Sequence, residues 1–173
     1  MMSIGSIPNT ADLNLEAAGV ETTPSGHIHV DRVSRTNIAG IYAAGDCSDL
    51  FPLASVAAMQ GRVAMHHALG DAVQPLNLRG VTANIFTDPE IATVGYSQTD
   101  IEEGKIEARV VTLPLSTNPR AKMRNITDGF VKLFARPGSN TIIGGVVVAP
   151  QASELIYPIG MAVANRLTVD QVA

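Results

Sequence analysis

Residues 36–49 read TNIAGIYAAGDCSD, a polar lead-in followed by an apolar run, small residues, an acid and a cysteine. The apolar run predicts a buried strand over Ile38–Ala44. The segment Leu53–Gly70 is rich in Ala and Met, and it predicts a helix that Gly70 ends. A strand that leads through Ala-Gly-Asp to the start of a helix is a geometry found at ligand-binding sites.

The residue types at this turn are suited to a hydroxylated ligand, but they are also typical of an ordinary turn. Small residues let a ligand approach the backbone, and the Asp46 carboxylate can accept hydrogen bonds from hydroxyl groups. The N–H groups at the start of the helix can hold a partial negative charge. Cys47 is either a redox centre or, more commonly for a single cysteine, an inert thiol. These residues alone leave binding site and turn equally open.

Histidines on a second predicted strand offer a metal site that we do not favour. The segment Gly26–Val30 alternates in polarity, which places His27 and His29 on one face of a strand. Two histidines can ligate a metal, but no third ligand stands near them in the sequence. We therefore interpret them as a solvated strand face and predict no metal. The apolar segment Met1–Ile7 predicts one more short strand.

The predicted helix over Leu53–Gly70 has one apolar face. Val56, Met59 and Val63 recur at helical spacing and are expected to be buried. Gly61 interrupts the helix with a residue of low helix propensity, so we expect a close neighbour at that point.

The second half of the sequence predicts an α+β domain with a mostly antiparallel sheet. Five runs have the composition of strands: Val81–Phe86, Ile91–Tyr96, Glu107–Leu115, Gly129–Ala135 and Thr141–Ala149. Ser97–Asp100 resembles a capping box at the start of a short helix, and Ser153–Leu167 predicts a longer helix that Pro158 bends. Thr168 is expected to cap a last helix. Because residues 71–79 have the composition of a linker, we divide the chain into domains 1–79 and 80–173.

Composition excludes several classes of protein. Of the 173 residues, 46% are hydrophobic and 16% are charged, with a net charge of −4, so neither a disordered chain nor a binder of nucleic acid or anionic membrane is expected. No apolar run approaches the ~20 residues of a membrane helix, so no membrane insertion is expected. A single cysteine excludes an internal disulfide and favours a cytoplasmic protein.

Four segments, taken in order along the chain, resemble one known family. IYAAGD (residues 41–46) is similar to the second FAD-binding signature of the flavoprotein disulfide reductases, the lipoamide dehydrogenase and glutathione reductase family. GSIPNTADLNLEAAGV (residues 5–20) resembles the link from its NAD(P) domain, and FTDPEIATVGYS (residues 86–97) resembles the start of its dimerisation domain. IIGGVVVAPQASELI (residues 142–156) matches the rest of that domain. In detail, PLASVAAMQGR (residues 52–62) and NPRAKM (residues 118–123) are most similar to actinobacterial lipoamide-dehydrogenase-like NAD(P)H:quinone reductases.

The resemblance implies a fold and a cofactor site. Residues 1–79 would hold the end of an NAD(P) domain and the C-terminal part of an FAD-binding domain, an α/β remnant, and residues 80–173 an α+β interface domain. Asp46 would accept a hydrogen bond from the ribityl chain of FAD, and Gly45 would allow its close approach. Leu53, Ala54 and Ser55 would offer backbone groups to the flavin's pyrimidine edge, where the start of a helix stabilises negative charge. Cys47 would then be structural.

The resemblance also implies an activity. The intact homodimer would pass electrons from NAD(P)H through FAD to a small-molecule quinone or disulfide. The family's N-terminal glycine motif, its redox-active Cys-x-x-x-x-Cys and its NAD(P) glycine motif have no counterpart in this sequence. The resemblance therefore assigns no catalytic residue to this chain, and both ends are expected to continue into a longer protein. The alternative is a non-catalytic homodimerisation module, inactive as an isolated fragment.

Overall fold

The computed structural model describes residues 5–173, which contain both α-helices and an antiparallel sheet. The helices of this part of the chain are α1 (Ala54–Ala68), α2 (Gln98–Glu102), α3 (Pro119–Met123), α4 (Ala152–Leu155), α5 (Tyr157–Asn165) and α6 (Val169–Val172). Its strands are β1 (Thr82–Ile85), β2 (Glu90–Gly95), β3 (Arg109–Pro114), β4 (Phe130–Ala135) and β5 (Ile142–Ala149). The chain divides into two units, Met1–Asn77 and Leu78–Ala173. Most of the strand predicted over Met1–Ile7 lies outside the described residues.

The second unit contains a five-stranded sheet with the order β1-β2-β5-β4-β3, and every neighbouring pair is antiparallel. The strands β1 and β2 form a hairpin, and β3, β4 and β5 follow one another in space as they do in sequence. The pairing of β2 with β5 joins these two pieces, with Val94 opposite Gly145 and Gly95 opposite Gly144. The five predicted strands and the α+β class are confirmed.

The helices α4 and α5 cover one face of this sheet. Alternate residues of β2, Ala92 and Val94, are buried against Ile156 and Ile159, as the two-residue period of a strand requires. The helix α5 lies close to the sheet at Gly145, which has no Cβ. A Cβ added there would lie 3.0 Å from the Ile159 side chain. This cluster is the hydrophobic core of the second unit.

The helix predicted over Ser153–Leu167 is two helices. Ile156 ends α4 and precedes α5, and Pro158 lies in the first turn of α5. Proline lacks an N–H and its ring clashes with the carbonyl one turn earlier, so the chain restarts the helix there rather than bending it. The last helix, α6, begins at the predicted cap, where Thr168 and Gln171 form a capping box.

The predicted capping box before α2 is also confirmed. The Ser97 hydroxyl accepts the Asp100 N–H at 3.1 Å, and the Asp100 carboxylate accepts the Ser97 N–H at 2.9 Å. Hydrogen bonds lower the pKa of Asp100 to about 2. The Ser97 N–H has the largest effect and the Ser97 hydroxyl the next largest, while the charges of Arg79 and Lys105 contribute less. The Arg79 guanidinium also lies 3.8 Å from the centre of the Tyr96 ring. These contacts fasten the residues before β1 to the start of α2.

The first unit has little regular structure besides α1. The prediction of strands over Gly26–Val30 and Ile38–Ala44 was wrong. The described residues there form only isolated bridges, which pair Thr22 with Ile28, Ile28 with Ser48, and Arg35 with Tyr42. A strand needs a continuous neighbour to satisfy its backbone groups, and these segments meet one residue at a time. Their apolar side chains are nevertheless buried, with Val20, Ile28, Val30 and Ala43 forming a core.

The helix α1 confirms the prediction over Leu53–Gly70, and Gly70 follows its end with a φ of 86°. Val56 and Val63 are buried as expected, but Met59 is 43% exposed. The buried face comprises Val56, Gln60, Val63 and Ala64, a stripe with helical spacing from which Met59 is displaced. The prediction of a close neighbour at Gly61 was also wrong, because a Cβ added there would meet nothing within 4 Å.

Candidate functional site

The segment Gly45–Ser48 forms a tight turn that presents an acid to solvent. The Ser48 N–H donates to the Gly45 carbonyl at 2.9 Å, which closes the turn. Gly45 has a φ of +93°, a conformation that favours glycine. Asp46 is the second residue of the turn; it is exposed, and its carboxylate enters none of the ion pairs found among residues 5–173.

A buried glutamine on α1 holds this turn at both ends. The Gly45 N–H donates to Gln60 Oε1 at 2.8 Å, and Gln60 Nε2 donates to the Ser48 hydroxyl at 2.9 Å. Gln60 and Ser48 are each only 1% exposed. The sequence prediction missed both residues. The available signal was the position of Gln60, in the middle of the apolar stripe of α1, where a polar side chain needs a partner.

The start of α1 leaves backbone donors without helical partners. Its N-cap, Leu53, makes no side-chain cap, and the first helical hydrogen bond runs from the Ala57 N–H to the Leu53 carbonyl at 2.9 Å. The Leu53 N–H already donates to the Phe51 carbonyl at 2.9 Å. The exposed residues Ala54 and Ser55 therefore present N–H groups at the positive end of the helix dipole.

The turn packs beside this helix start. A Cβ placed on Gly45 would lie 3.7 Å from Ala57 Cβ, an ordinary contact, so the backbone conformation rather than crowding within the chain favours glycine there. The structure thus brings Gly45 and Asp46 to the first turns of α1, where Leu53, Ala54 and Ser55 lie. An exposed carboxylate next to free N–H donors can bind a hydroxylated group and an electron-rich group together.

Cys47 belongs to the framework of the turn. Its thiol is partly buried and lies 3.5 Å from the Ala44 carbonyl, to which it donates. Its own carbonyl accepts the Ile28 N–H at 2.8 Å. Since the sequence contains one cysteine, the thiol has no partner within the chain for a disulfide.

The histidines predicted to share a strand face have separate polar partners. His27 Nδ1 lies 2.9 Å from the Ser25 hydroxyl, and His29 pairs with the Asp49 carboxylate. Within residues 5–173 no group of three or more His, Cys, Asp or Glu side chains could hold a metal ion. The same residues include no helix that is long and apolar enough to cross a membrane.

A glycine–aspartate turn beside a helix start, in a chain that continues into an α+β unit with an antiparallel sheet, is the architecture that the family resemblance predicts. The chain belongs to the pyridine nucleotide-disulphide oxidoreductase family. The sequence model of that family's dimerisation domain matches residues 81–173, and a second model, described as pyridine nucleotide-disulphide oxidoreductase, matches residues 1–61.

Individual relatives match along the whole chain. A NAD(P)H dehydrogenase (quinone) of Mycobacterium tuberculosis is 58% identical over 173 residues, which is 100% of this chain and 35% of the relative. A mercuric reductase of Acidithiobacillus ferrooxidans is 44% identical over 173 residues, and the match covers 31% of it. The chain thus spans about a third of the length of the curated relatives it matches.

A solved structure has the same fold. The crystal structure of LpdA from Mycobacterium tuberculosis superimposes with a TM-score of 0.87 at 58% sequence identity, covering 98% of this chain and 37% of LpdA. The α+β architecture of the chain is therefore that of a segment of LpdA.

Proposed function

We propose that this chain is part of an FAD-dependent oxidoreductase that passes electrons from NAD(P)H to a quinone. The observation that carries the proposal is the 58% identity, along the entire chain, to a protein described as NAD(P)H dehydrogenase (quinone). A disulfide acceptor is the runner-up within the same family. The activity would belong to the larger protein, because the chain spans 35% of that relative.

The residues around Gly45 fit the cofactor. Asp46 presents an exposed carboxylate that can accept hydrogen bonds from the ribityl hydroxyls of FAD, and Gly45 lacks the Cβ that would stand between backbone and ligand. The N–H groups of Ala54 and Ser55 lie at the start of α1, directly after its N-cap Leu53, and there they can stabilise negative charge. When bound, FAD supplies the electron transfer between the nicotinamide and the acceptor.

The chain's own part in this function is to bind and orient the cofactor. We assign it no catalytic residue, and we propose that residues 1–173 alone do not turn over. The glycine motifs that would hold the FAD pyrophosphate and the NAD(P)H have no counterpart in the sequence. A cytoplasmic location is part of the same proposal, since one cysteine leaves no internal disulfide to form.

The test uses the full-length protein with Asp46→Ala and, as a matched control, Asp12→Ala, the same change at another exposed acid. Losing a charged hydrogen-bond partner is expected to weaken FAD binding on the order of 10- to 100-fold. FAD dissociation constants and NAD(P)H oxidation with a soluble naphthoquinone are the measurements. A wild-type protein that binds no FAD, or that reduces disulfides but no quinone, contradicts the proposal.

A second candidate function is homodimerisation, and the match of the dimerisation-domain model to residues 81–173 favours it. We propose that α5 contributes to the contact with a second copy of the chain. Tyr157 and Met161 lie one helical turn apart and are 66% and 44% exposed. In the intact enzyme this role is compatible with the first.

Sedimentation of the full-length protein tests the dimer. We expect Met161→Glu to raise the dimer dissociation constant, because a charge would be buried at the contact. Leu13→Glu, at a residue 58% exposed outside the matched domain, is the control and should leave the dimer intact. A monomeric wild type, or a Met161→Glu protein as dimeric as the wild type, speaks against this role of α5.

A further inference from the structure

Gln60 is the one residue of α1 whose side chain is both polar and almost fully buried, at 1% exposure. We propose that Gln60 is a positioning residue that fixes the place of the Asp46 carboxylate for the cofactor. The inference rests on the proposed FAD site, but it concerns a residue that does not touch the ligand in that proposal.

The hydrogen bonds around Gln60 allow only one orientation of its amide. Oε1 accepts the Gly45 N–H at 2.8 Å, and a backbone N–H can only donate. The Ser48 hydroxyl gives its single proton to the Gly45 carbonyl at 2.7 Å. It must therefore accept from Gln60 Nε2, at 2.9 Å. Each donor in this closed set has one acceptor, so neither the amide nor the hydroxyl can rotate without losing a bond.

This set of bonds fixes every member of the turn except the side chain of Asp46. Gln60 binds the first and last residues, Gly45 and Ser48, and the Cys47 carbonyl is held by the Ile28 N–H at 2.8 Å. Asp46 is the remaining residue, and it is exposed. The framework thus leaves one carboxylate directed outward on an immobilised backbone, which is what a preorganised ligand group needs.

The replacements available at this position show why an amide is required. A glutamate could accept from Gly45, but it could not donate to Ser48 while ionised, and its charge would be buried. A methionine keeps the length and removes both bonds. In that variant the Gly45 N–H loses its acceptor, and the Ser48 hydroxyl keeps its bond to the Gly45 carbonyl but no longer accepts one from residue 60. The turn is therefore expected to move so that the Gly45 N–H reaches water.

The experiment must separate positioning from a general loss of stability. We compare Gln60→Met with Val63→Ala, a cavity-forming control on the same buried face of α1, in the full-length protein. Both variants should lower the melting temperature. Only Gln60→Met should weaken FAD binding, by about tenfold, and speed amide hydrogen exchange at residues 45–48.

A double mutant identifies the route of the effect. If Gln60 acts through Asp46, Gln60→Met should change FAD affinity by less than about twofold in an Asp46→Ala background. The inference is overturned if Gln60→Met binds FAD as tightly as the wild type, or if its effect is equal in both backgrounds. A wild-type protein that binds no FAD is a different result, since it refutes the proposed function itself.

Discussion

Glu90 and Ser153 join the sheet to the helix that covers it. A single oxygen of the Glu90 carboxylate, Oε2, accepts the Ser153 N–H at 3.0 Å and the Ser153 hydroxyl at 2.8 Å. Glu90 begins β2, and Ser153 lies in the first turn of α4, where a negative charge is favoured. The backbone N–H of Ser153, and after it the hydroxyl, lower the pKa of the Glu90 carboxyl.

This contact predicts a pH-dependent loss of stability on mutation. We expect Glu90→Gln to lower the free energy of unfolding at pH 7, because a neutral amide accepts these bonds more weakly than a carboxylate. A lowered folded-state pKa contributes stability above the ordinary value of 4.5 and loses it as the pH falls through the folded pKa. The difference from wild type should therefore shrink below pH 4.5 in urea titrations. Glu154→Gln, at the exposed residue that follows Ser153, is the control. A difference between Glu90→Gln and wild type that stays the same at acidic pH argues against the mechanism.

Asp100 is predicted to titrate far below a normal aspartate. Its carboxyl resonance in an NMR titration should move near pH 2 rather than 3.8, and its contribution to stability should disappear over that interval as the pH falls. Because the Ser97 hydroxyl lowers this pKa more than Arg79 does, Ser97→Ala should raise it further than Arg79→Gln. The reverse order would show that the ion pair, not the capping box, dominates.

Gly61 is predicted to be a site for stabilisation. It lies inside α1 with space around its missing Cβ, and alanine is favoured over glycine in a helix by about 1 kcal/mol. Gly61→Ala should therefore raise the free energy of unfolding by about that amount. The matched change Gly45→Ala should do the opposite, since the φ of +93° is strained for alanine. A destabilised Gly61→Ala would reveal a neighbour that approaches this helix.

Gly144 is predicted to tolerate no side chain. A Cβ there would lie 2.4 Å from the Tyr96 carbonyl oxygen and 2.8 Å from the Tyr96 nitrogen, both backbone atoms that cannot move aside alone. We expect Gly144→Ala to cost about 3 kcal/mol. Chemical unfolding compared with Gly61→Ala, the same chemical change in open space, measures the difference. Equal stabilities would mean that β2 and β5 can separate at little cost.

Local patterns were enough to predict the five strands of the second unit and its capped helices α2 and α6. Its strands carry their own alternation, as in Ile91–Val94, and its helices α2 and α6 carry capping boxes at Ser97 and Thr168. These signals act between residues that are close in sequence, so the local structure that they favour is also the structure in the folded unit. Pro158 was predicted to bend one helix, but the structure has two helices there, and Ile156 is both the C-cap of α4 and the N-cap of α5.

The first unit depended on contacts between distant residues. Ile28 and Ala43 have the apolar character of strand residues and are buried, yet each segment forms only isolated bridges. The candidate site was located by the Gly45-Asp46 motif, whereas Gln60 was missed because its partners lie 15 and 12 residues away. A polar residue inside an apolar stripe signals that such partners exist, but it does not say where they are.

The pairing of β2 with β5 has a consequence for how the second unit assembles. The β1–β2 hairpin and the β3–β4–β5 meander can each form from neighbouring segments, whereas the seam between them brings together Gly95 and Gly144, 49 residues apart by their numbers. Long loops slow such closures, so we expect the seam to be the late step of folding. During synthesis the β2 edge of the hairpin would therefore stay unpaired until residue 149 has left the ribosome. We expect the hairpin to be most prone to aggregation during that period.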